Sequence, residues 1–258
     1  MNVLGIIPAR MASSRFPGKP MKKIHGIPMI GHCYQRSIMS DSITECYVAT
    51  PDKEIFDYIS SLNGKAVMTS HAHEMCNERV FEAVDKIEIS TGQKFDIIVN
   101  IQGDLPMIFP SMIDTLIDPI LNKEDVTNTT MVDEIFTDND FLDRNRVKVL
   151  ITEFNDAIIF TREPIPSLFK SKEKFKKYKH VAIRAYRRDI YDKIKKLSIT
   201  PIEKIEGIDD LRLIENGIKI RITFTKEITE TVDTPEDLTK VISMMNNDKL
   251  ISQYSFGR

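Results

Sequence analysis

Basic side chains without acidic neighbours mark the start of the chain. Arg10, Arg15 and Lys19 follow one another in a short loop, and the first acidic residue is Asp41. Small residues between them let the backbone approach a ligand closely, while two guanidinium groups and one ammonium group are suited to binding phosphate oxygens. The loop therefore predicts a binding site for a phosphorylated anion. A solvated basic loop without a ligand is the alternative.

Two acidic residues are candidates for holding a divalent cation. Asp104 follows the apolar stretch FDIIVNI, the strongest strand pattern in the chain, and Asp233 comes directly before a helix start. Magnesium prefers one or two carboxylates together with phosphate oxygens and water. The two residues would complete a magnesium site if the fold brings them together. Otherwise Asp104 is a turn residue and Asp233 interacts favourably with the helix dipole.

Strands and helices that would position these residues alternate in the first half of the chain. The run LGII, bounded by Pro8, predicts a buried strand with the basic loop just beyond its carboxyl end, where ligands bind in open α/β sheets. Further strands are predicted at 43–49, 65–69 and 95–101, and helices at 28–40 and 78–89. A third helix is predicted to follow the turn at 50–52 and to end at about 62. This alternation is typical of a mainly parallel central sheet flanked by helices.

The pattern changes after Asp125. We predict strands at 126–132, 147–152, 157–161, 180–186 and 218–225, helices at 189–196, 202–216 and from 235, and a solvated loop or short helix at 170–179. Thr234 is a candidate N-cap because Pro235 suits the first helical position. We therefore expect a single α/β domain over residues 1–258, with an inserted sub-domain around 125–190.

The composition argues against several classes of protein. A net charge of -2 and a pI near 6.2 are not those of a general nucleic-acid or membrane-surface binder. No apolar run is long enough to span a membrane, and the start of the chain does not resemble a signal peptide. Cys33, Cys46 and Cys76 are too scattered for a disulfide framework or a zinc site. A Walker A motif is excluded because Pro20 follows Gly18-Lys19. We expect a cytoplasmic protein.

Six stretches of the chain occur in an order that resembles a known family. They are IPARMASSRFPGKP, VNIQGDLPMI, NRVKV, FTREPIP, HVAIRAYR and VDTPEDL. Together they resemble the motifs of the 3-deoxy-manno-octulosonate (Kdo) cytidylyltransferases, also called CMP-Kdo synthetases. The resemblance implies a Rossmann-like nucleotidyltransferase fold with a small inserted dimerisation sub-domain, and a homodimer. It also implies that CTP and Kdo react with Mg²⁺ to give CMP-Kdo and pyrophosphate, for lipopolysaccharide or capsule synthesis.

The resemblance further implies roles for individual residues. The catalytic set would be Arg10, Lys19, Asp104 and Asp233, of which the two aspartates would hold the metal. The nucleotide would contact Pro8, Ala9, Arg10, Ser13, Arg15, Lys19, Asn77, Gln102 and Gly103. The sugar acid would contact Arg162, His180, Tyr186, Glu203, Glu206 and Asp210. Structural roles compete at some of these positions, since His180 is also explained as a hydrogen-bonded strand histidine and Glu203 and Glu206 as a solvated helix face.

The chain departs from the family pattern near the expected acceptor site. His73-Glu74-Met75-Cys76-Asn77-Glu78-Arg79 stands where the family typically has His-x-Ser-Gly-Thr-(Asp or Glu)-Arg. Asp209-Asp210-Leu211-Arg212 stands in place of Glu-Gln-Leu-Arg, and Arg184 in place of a common Tyr. An unpaired buried carboxylate at Asp210 would favour a cationic acceptor such as an amino-substituted sugar acid. An Asp210 that faces solvent would not affect specificity.

Three functional hypotheses follow from these patterns. The first is CTP-dependent activation of Kdo, and the second is activation of a different acid, such as 8-amino-Kdo, another nonulosonate-like sugar or a phosphonate. The third is a catalytically silent relative that binds nucleotides. The presence of Arg10, Lys19, Asp104 and Asp233 together favours an enzyme over the third hypothesis.

Overall fold

The computed structural model of the protein describes residues 1–13, 15–73, 75–167, 169–170, 173 and 175–254. The chain divides into two units, one formed by Met1–Asp114 with Glu227–Arg258 and the other by Thr115–Lys226. The insertion predicted around 125–190 falls inside the second unit, which continues to Lys226.

Strands and helices alternate along the first unit, and strands are more frequent in the second. The strands are β1 (Val3–Pro8), β2 (Lys23–Ile24), β3 (Ile27–Pro28), β4 (Glu45–Thr50), β5 (Ala66–Met68), β6 (Ile97–Asn100), β7 (Asn128–Ile135), β8 (Lys148–Ile151), β9 (Ala157–Thr161), β10 (Lys177–Arg187) and β11 (Arg221–Phe224). The α-helices are α1 (Met29–Ser37), α2 (Lys53–Ser61), α3 (Cys76–Thr91), α4 (Pro110–Asn122), α5 (Asp138–Leu142), α6 (Arg188–Ile194), α7 (Pro201–Glu206), α8 (Asp210–Glu215), α9 (Pro235–Met244) and α10 (Ile251–Tyr254).

A parallel sheet forms the centre of the first unit. Its strands run in the order β6, β1, β4, β5, and each neighbouring pair is parallel. Residues of β1 and β6 are buried on both faces, as expected of strands covered by helices on a parallel sheet. The predicted mainly parallel sheet is therefore confirmed. Because β1 and β6 are neighbours, the loops after their carboxyl ends lie side by side.

The end of the described chain packs on α1, which is buried along its whole length. Arg36 pairs with Asp248 and donates from Nε to the Tyr254 hydroxyl at 2.8 Å. That hydroxyl lies 2.8 Å from Nδ1 of His32, whose Nε2 lies 2.8 Å from the carbonyl oxygen of Ile24. The neutral imidazole fits this arrangement, with Nε2 donating and Nδ1 accepting. Burial lowers the pKa of His32 to about 4.

The second unit contains a mostly antiparallel sheet. β7 pairs with β10, β10 with β8, and β8 with β9, all antiparallel, while β11 pairs with β7 in parallel. The bulge between Val181 and Arg184 in β10 shifts its register against β7. Side chains of β10 and the helices after it carry most of the residues predicted to bind the sugar acid.

Two predicted elements of the second unit differ from the structure. The helix predicted at 202–216 is two helices, α7 and α8, because Gly207 adopts a left-handed conformation with φ 66° and ends α7. The stretch predicted as a solvated loop or short helix at 170–179 ends in strand, since β10 begins at Lys177. Residues 171, 172 and 174 of that stretch lie outside the described residues.

Two expectations about the class of protein concern membranes and disulfides. No helix in the described part of the chain has the length and apolar character needed to cross a membrane. Cys33 and Cys46 are buried thiols, and Cys76 is partly exposed. Burial raises the pKa of Cys46 to about 12 and that of Cys33 further, so both stay protonated at neutral pH.

Candidate active site

A cavity of about 270 Å³ in the first unit lies beyond the carboxyl ends of β1 and β6. Eight of the nine residues predicted to contact the nucleotide line it, namely Pro8, Ala9, Arg10, Ser13, Arg15, Lys19, Gln102 and Gly103. The predicted metal ligands Asp104 and Asp233 line it as well. The structure therefore brings the basic loop and the two carboxylates into one cavity.

Backbone hydrogen bonds hold the basic loop in place. Ala9 N–H donates to Ala49 O, and Met11 N–H donates to the Asp52 carboxylate at 2.7 Å. Gly18 N–H donates back to Met11 O at 2.9 Å, and Gly18 has φ 71°, a conformation that favours glycine. The loop is thus closed on itself and tied to β4 and its following turn. Its three basic side chains start from fixed backbone positions.

Gly103 allows the loop after β6 to approach the end of β1. A Cβ atom at this position would lie 2.6 Å from the carbonyl oxygen of Pro8, which is too close for any side chain. The backbone of the next residue, Asp104, is also held, since Val232 N–H donates to Asp104 O at 2.9 Å. This hydrogen bond holds the segment before Asp233 against Asp104.

Lys19 stands between the two predicted metal ligands. Its Nζ lies 2.9 Å from Asp104 Oδ2 and 3.4 Å from Asp233 Oδ1, and Arg15 Nη2 lies 3.0 Å from the same Asp233 oxygen. Burial by itself would lower the pKa of Lys19, but Asp104 and Asp233 more than offset it and the net direction is upward. Lys19 is therefore a cation at physiological pH, and both carboxylates have a positive partner.

The two carboxylates fit a magnesium ion as a donor set. They share one cation at hydrogen-bond distance, which shows that their oxygens converge on a common point. No group of three or more His, Cys, Asp and Glu side chains suited to a metal occurs among the described residues. A site of two carboxylates is still sufficient for magnesium when phosphate oxygens and water complete the coordination.

Arg79 is a cavity residue that the sequence analysis did not select. Its side chain is buried at the cavity wall and donates to Thr69 Oγ1, Ser70 O and His73 O. None of the described carboxylates forms an ion pair with it. Burial and the nearby Arg10 lower its pKa. A buried guanidinium without an acidic partner is a candidate for binding an electron-rich group of a ligand.

His73 is held at the cavity by a carboxylate from α3. Its Nε2 lies 2.5 Å from Glu82 Oε2, and its carbonyl oxygen accepts from both Arg10 and Arg79. Partial burial by itself would raise the pKa of Glu82, but hydrogen bonds from Lys86, Ser70 N–H and His73 lower it to about 2. His73 is therefore held by Glu82 of α3 and by Arg10 of the basic loop.

Asn77, the remaining residue predicted to contact the nucleotide, is not part of the described cavity wall. It is buried in the first turn of α3, where its Oδ1 accepts from Asn100 Nδ2 at 3.1 Å. The preceding Cys76 does line the cavity, and its sulfur lies 3.6 Å from Gln102 Nε2. The side chain of Asn77 thus connects α3 to β6, and a contact with the nucleotide remains a prediction.

The residues predicted to bind the sugar acid lie in the second unit. Glu206 accepts from Thr161 Oγ1 at 2.8 Å and from the backbone N–H of Arg162 at 3.1 Å. Arg162 in turn donates from Nε to Glu206 O and from Nη1 to Arg144 O. The structure therefore brings Arg162 and Glu206 together at the end of β9. The solvated-face alternative does not describe Glu206, since both carboxylate oxygens have protein donors.

Glu203 is fully buried, so the solvated-face alternative is wrong for this residue. Arg212 Nε donates to both of its carboxylate oxygens, at 3.1 and 2.8 Å, and Arg212 Nη2 adds a third contact. Glu203 also closes the capping box of α7 by accepting from Thr200 N–H. Its carboxylate thus holds α7 and α8 together, and a contact with the sugar acid remains a prediction.

Asp210 and Arg184, two departures from the family pattern, pair with each other. Arg184 Nε lies 2.8 and 2.9 Å from the two oxygens of Asp210, which is 1% exposed, and Nη2 adds another contact. Burial by itself would raise the pKa of Asp210, but Arg184 and His180 lower it overall. The predicted solvent-exposed alternative for Asp210 is therefore wrong. The premise of an unpaired carboxylate is wrong too, because the chain supplies its own cation.

His180 lies beside this pair as a buried strand histidine. Its Nε2 is 2.8 Å from Thr130 Oγ1, and the Thr130 hydroxyl donates to Ile183 O, so Nε2 donates to Thr130. Burial lowers the pKa of His180 to about 4, with Asp210 acting against the shift and Arg184 adding to it. Tyr186 is buried further along β10. The structural alternative describes His180 as the structure shows it, and a contact with the sugar acid remains a prediction.

The sequence contained a signal for two cavity residues that were not predicted, His73 and Arg79. They are the first and last residues of a stretch that corresponds to a family motif, but the motif does not indicate what either side chain contacts. The pairing of Arg184 with Asp210 had no such signal. The two residues are 26 positions apart and on different elements.

Comparison with known proteins gives one consistent result. A family model described as cytidylyltransferase matches residues 4–220. The 3-deoxy-manno-octulosonate cytidylyltransferase of Thermodesulfovibrio yellowstonii is 40% identical and covers 92% of this chain and 96% of its own. That of Geobacter metallireducens is 37% identical and covers 95% and 98%.

A solved structure agrees with these relatives. CMP:2-keto-3-deoxy-manno-octonic acid synthetase, determined in complex with CTP, aligns with a TM-score of 0.87 and 36% identity. The alignment covers 95% of this chain and 98% of that one. The predicted nucleotidyltransferase fold is thereby confirmed. The chain belongs to the 3-deoxy-manno-octulosonate cytidylyltransferase family of nucleotidyltransferases.

Proposed function

We propose that the protein transfers the cytidylyl group of CTP to Kdo, giving CMP-Kdo and pyrophosphate. The observation that carries the proposal is the single cavity that holds the basic loop, Asp104 and Asp233 in a chain of this family. A triphosphate needs several cations, and the developing charge of a phosphoryl-type transfer needs fixed positive groups near the reacting phosphate.

The basic loop supplies the groups that bind the triphosphate. Arg10, Arg15 and Lys19 all line the cavity, and the backbone of the loop is held by hydrogen bonds at both ends. Guanidinium groups bind phosphate oxygens in a fixed planar geometry, whereas the lysine ammonium is a movable point charge. We assign the two arginines to positioning the nucleotide and Lys19 to stabilising the leaving pyrophosphate.

The reaction forms one P–O bond and breaks another. The anomeric hydroxyl oxygen of Kdo attacks the α-phosphorus of CTP in line, the bond from this phosphorus to the β-phosphate oxygen breaks, and pyrophosphate leaves with its electron pair. The hydroxyl proton is lost to a base or solvent. No covalent enzyme intermediate is required. The residues named above contribute by holding the reactants in the attacking geometry and by neutralising charge on the leaving group.

Asp104 and Asp233 are the residues that would hold Mg²⁺. When bound, the ion supplies positive charge at the phosphate oxygens and favours the ionised form of a coordinated hydroxyl. The convergence of the two carboxylates on one point supports this assignment. Their positions are set by Val232 N–H, which donates to Asp104 O, and by the capping box that begins α9.

We assign sugar-acid recognition to the second unit, with Arg162, His180 and Glu206 as the principal contacts. Arg162 and Glu206 form one hydrogen-bonded group, and His180 lies beside the Arg184–Asp210 pair. The geometry gives no support to a preference for an amino-substituted acid, because Asp210 is already neutralised by Arg184. Kdo is therefore the acceptor that we propose.

We also propose that the protein forms a homodimer through its second unit. This unit exposes the large apolar side chains Phe136, Leu142, Ile158 and Phe169. Their burial against a second copy would remove apolar surface from water. Light scattering after size-exclusion chromatography tests this directly: a mass near twice the 29.7 kDa chain mass supports the dimer, and a mass near 29.7 kDa contradicts it.

A substrate panel tests the proposed reaction. The protein is incubated with Mg²⁺, with CTP, UTP or ATP, and with Kdo, 8-amino-Kdo or a nonulosonate sugar, and pyrophosphate release is followed. We expect release with CTP and Kdo that stops in excess EDTA. Higher kcat/KM for 8-amino-Kdo would overturn the acceptor assignment, and no release with any pair would support the catalytically silent alternative.

A further inference from the structure

The ammonium group of Lys19 lies between Asp104 and Asp233, the two proposed metal ligands. Its Nζ contacts Asp104 Oδ2 at 2.9 Å and Asp233 Oδ1 at 3.4 Å. The Lys19 side chain is 12% exposed, and each aspartate side chain is 28% exposed. The ammonium is therefore largely enclosed, and it occupies the point on which Asp104 Oδ2 and Asp233 Oδ1 converge.

Arg15 adds a second positive charge to the same place. Its Nη2 lies 3.0 Å from Asp233 Oδ1, the oxygen that Lys19 also contacts. Two cations thus face two carboxylates, and the group is neutral without a metal. A divalent ion bound between Asp104 Oδ2 and Asp233 Oδ1 would meet two like charges within a few ångströms and would compete for oxygens that already accept hydrogen bonds from Lys19 and Arg15.

Hydrogen bonds hold the backbones of the two aspartates, whereas Lys19 carries its charge at the end of a long side chain. Val232 N–H holds the backbone of Asp104, and Asp233 N–H donates to the Asp237 carboxylate at 3.0 Å in the capping box of α9. Lysine carries its charge on a flexible four-carbon stem. Displacement of the ammonium therefore needs only rotation of the Lys19 side chain, while the backbones of both aspartates stay held by their hydrogen bonds.

The triphosphate provides another partner for that ammonium. Lys19 and Arg15 both line the cavity in which the nucleotide is proposed to bind. We propose that Lys19 is an internal counter-ion that excludes divalent cations from Asp104 and Asp233 in the nucleotide-free protein, so that the metal site opens when the triphosphate draws Lys19 away. This inference rests on the proposed function for the identity of the triphosphate.

The consequence is a coupling between nucleotide and metal. If the triphosphate improves the affinity for the metal, the metal must improve the affinity for the triphosphate by the same factor. The free protein would then bind divalent cations weakly even though both ligands are already in place. Removal of the Lys19 charge alone should open the site without any nucleotide.

The test measures Mn²⁺ binding to the full-length, nucleotide-free protein by electron paramagnetic resonance. We expect Lys19→Met to bind Mn²⁺ at least about ten-fold more tightly than the unchanged protein, because a resident competing charge is removed. Lys19→Arg, which keeps the charge, should bind as weakly as the unchanged protein. Lys53→Met is the matched control, since Lys53 is exposed and pairs with Asp57 away from the cavity. Asp104→Asn added to Lys19→Met should abolish the gain.

A second measurement does not depend on the folding of any variant. The unchanged protein is treated with an amine-acylating reagent with and without saturating Mn²⁺, and the modification of Lys19 is compared with that of exposed Lys23 by mass spectrometry. We expect Mn²⁺ to increase modification of Lys19 relative to Lys23, because the ion displaces the ammonium. Equal Mn²⁺ affinity of the Lys19→Met variant and the unchanged protein, or unchanged Lys19 modification at saturating Mn²⁺, would overturn the inference.

Neither measurement uses turnover. An enzyme that releases pyrophosphate but fails both tests retains its proposed function and lacks the counter-ion device. A protein that passes both tests but forms no CMP-Kdo has the device and lacks the proposed reaction.

Discussion

The acidic side chains of the protein differ in their exposure and in their charged partners. Asp104 and Asp233 are partly exposed and face a cavity, so a ligand can reach them. Asp210 is enclosed and already held by Arg184, so it is not available to a ligand in the same way. Aspartate side chains therefore occur in two environments, one open to a ligand at the cavity and one closed by a partner from the same chain.

The two cavity aspartates are expected to be essential for turnover. Asp104→Asn and Asp233→Asn should each lower kcat by at least about 100-fold, because charge at the reacting phosphate would no longer be balanced. Circular dichroism should show an intact fold, since both side chains are partly exposed. Asp57→Asn, at an exposed helix position, is the control and should keep normal kcat. Near-normal kcat in either cavity variant would contradict the assignment.

The Arg184–Asp210 pair leads to a prediction about stability. Arg184→Tyr or Asp210→Gln alone should lower the free energy of unfolding by about 3–5 kcal/mol, because each leaves an uncompensated buried charge. The double variant restores the uncharged residue types of the family pattern and should recover most of that loss. Urea unfolding of the four proteins measures the coupling. A double variant that loses the sum of both single effects would show that the two side chains act independently.

The N-terminal cap of α9 holds the backbone of Asp233 in position. Thr234 Oγ1 accepts from Asp237 N–H at 3.2 Å, and the Asp237 carboxylate accepts from the backbone N–H groups of Asp233 and Thr234. These bonds satisfy donors at the start of α9 and fix the backbone of Asp233. The helix start therefore serves the cavity as well as the stability of α9.

Removal of the α9 cap should affect both stability and metal-dependent activity. Thr234→Ala should lower the free energy of unfolding by about 1 kcal/mol, the usual value of an N-cap hydroxyl. It should also raise the Mg²⁺ concentration needed for half-maximal turnover, because Asp233 loses its fixed position. Thr234→Ser keeps the hydroxyl and should resemble the unchanged protein. A loss of stability with an unchanged Mg²⁺ dependence of turnover would show that the cap is not needed to position Asp233 for the metal.

Local patterns explain which elements could be predicted from the sequence. The apolar run of β1 with a basic loop after it is a local feature, and so is the Thr-Pro start of α9. The spacing of Ile202, Ile205 and Ile208 continues across Gly207, so periodicity alone predicts one helix where backbone conformation makes two. Helix propensity does not show that a single residue, Gly207, adopts the left-handed conformation.

Long-range contacts explain what could not be predicted from local patterns. Lys19 and Asp104 are 85 positions apart and meet because β1 and β6 are neighbours in the sheet. The family resemblance predicted that Lys19 and Asp104 belong to one site, whereas their separation in the sequence does not indicate it. The partner of Asp210 was missed for the same reason, because neither α8 nor β10 shows which face meets the other. The burial of Asn77 depends on Asn100, which lies on a different element.

Two buried neutral histidines make the stability of the folded protein depend on pH. His32 in the first unit and His180 in the second have pKa values lowered to about 4 by burial. An unfolded chain binds protons at these histidines near pH 6.5, whereas the folded chain binds them only near pH 4. Their contribution to stability is therefore present above about pH 6.5 and is lost as the pH falls toward 4.

We expect the melting temperature to fall steadily between about pH 6.5 and pH 4, with each histidine contributing on the order of 1–3 kcal/mol. Calorimetry across this range measures the effect. His180→Gln should flatten part of the pH dependence, while replacement of the exposed His71 by Gln should leave it unchanged. A melting temperature that stays constant from pH 6.5 to 4 would show that the buried histidines take up protons without cost.

The proposed reaction joins the α-phosphate of CTP to a sugar acid. Phosphorus NMR of a mixture of protein, CTP, Kdo and Mg²⁺ tests it most directly, because each phosphorus atom of substrate and product has its own resonance. We predict that the three resonances of CTP are replaced by one phosphodiester resonance and pyrophosphate in equal molar amounts. Release of inorganic phosphate with CDP, or CTP that remains unchanged while bound, would contradict the claim.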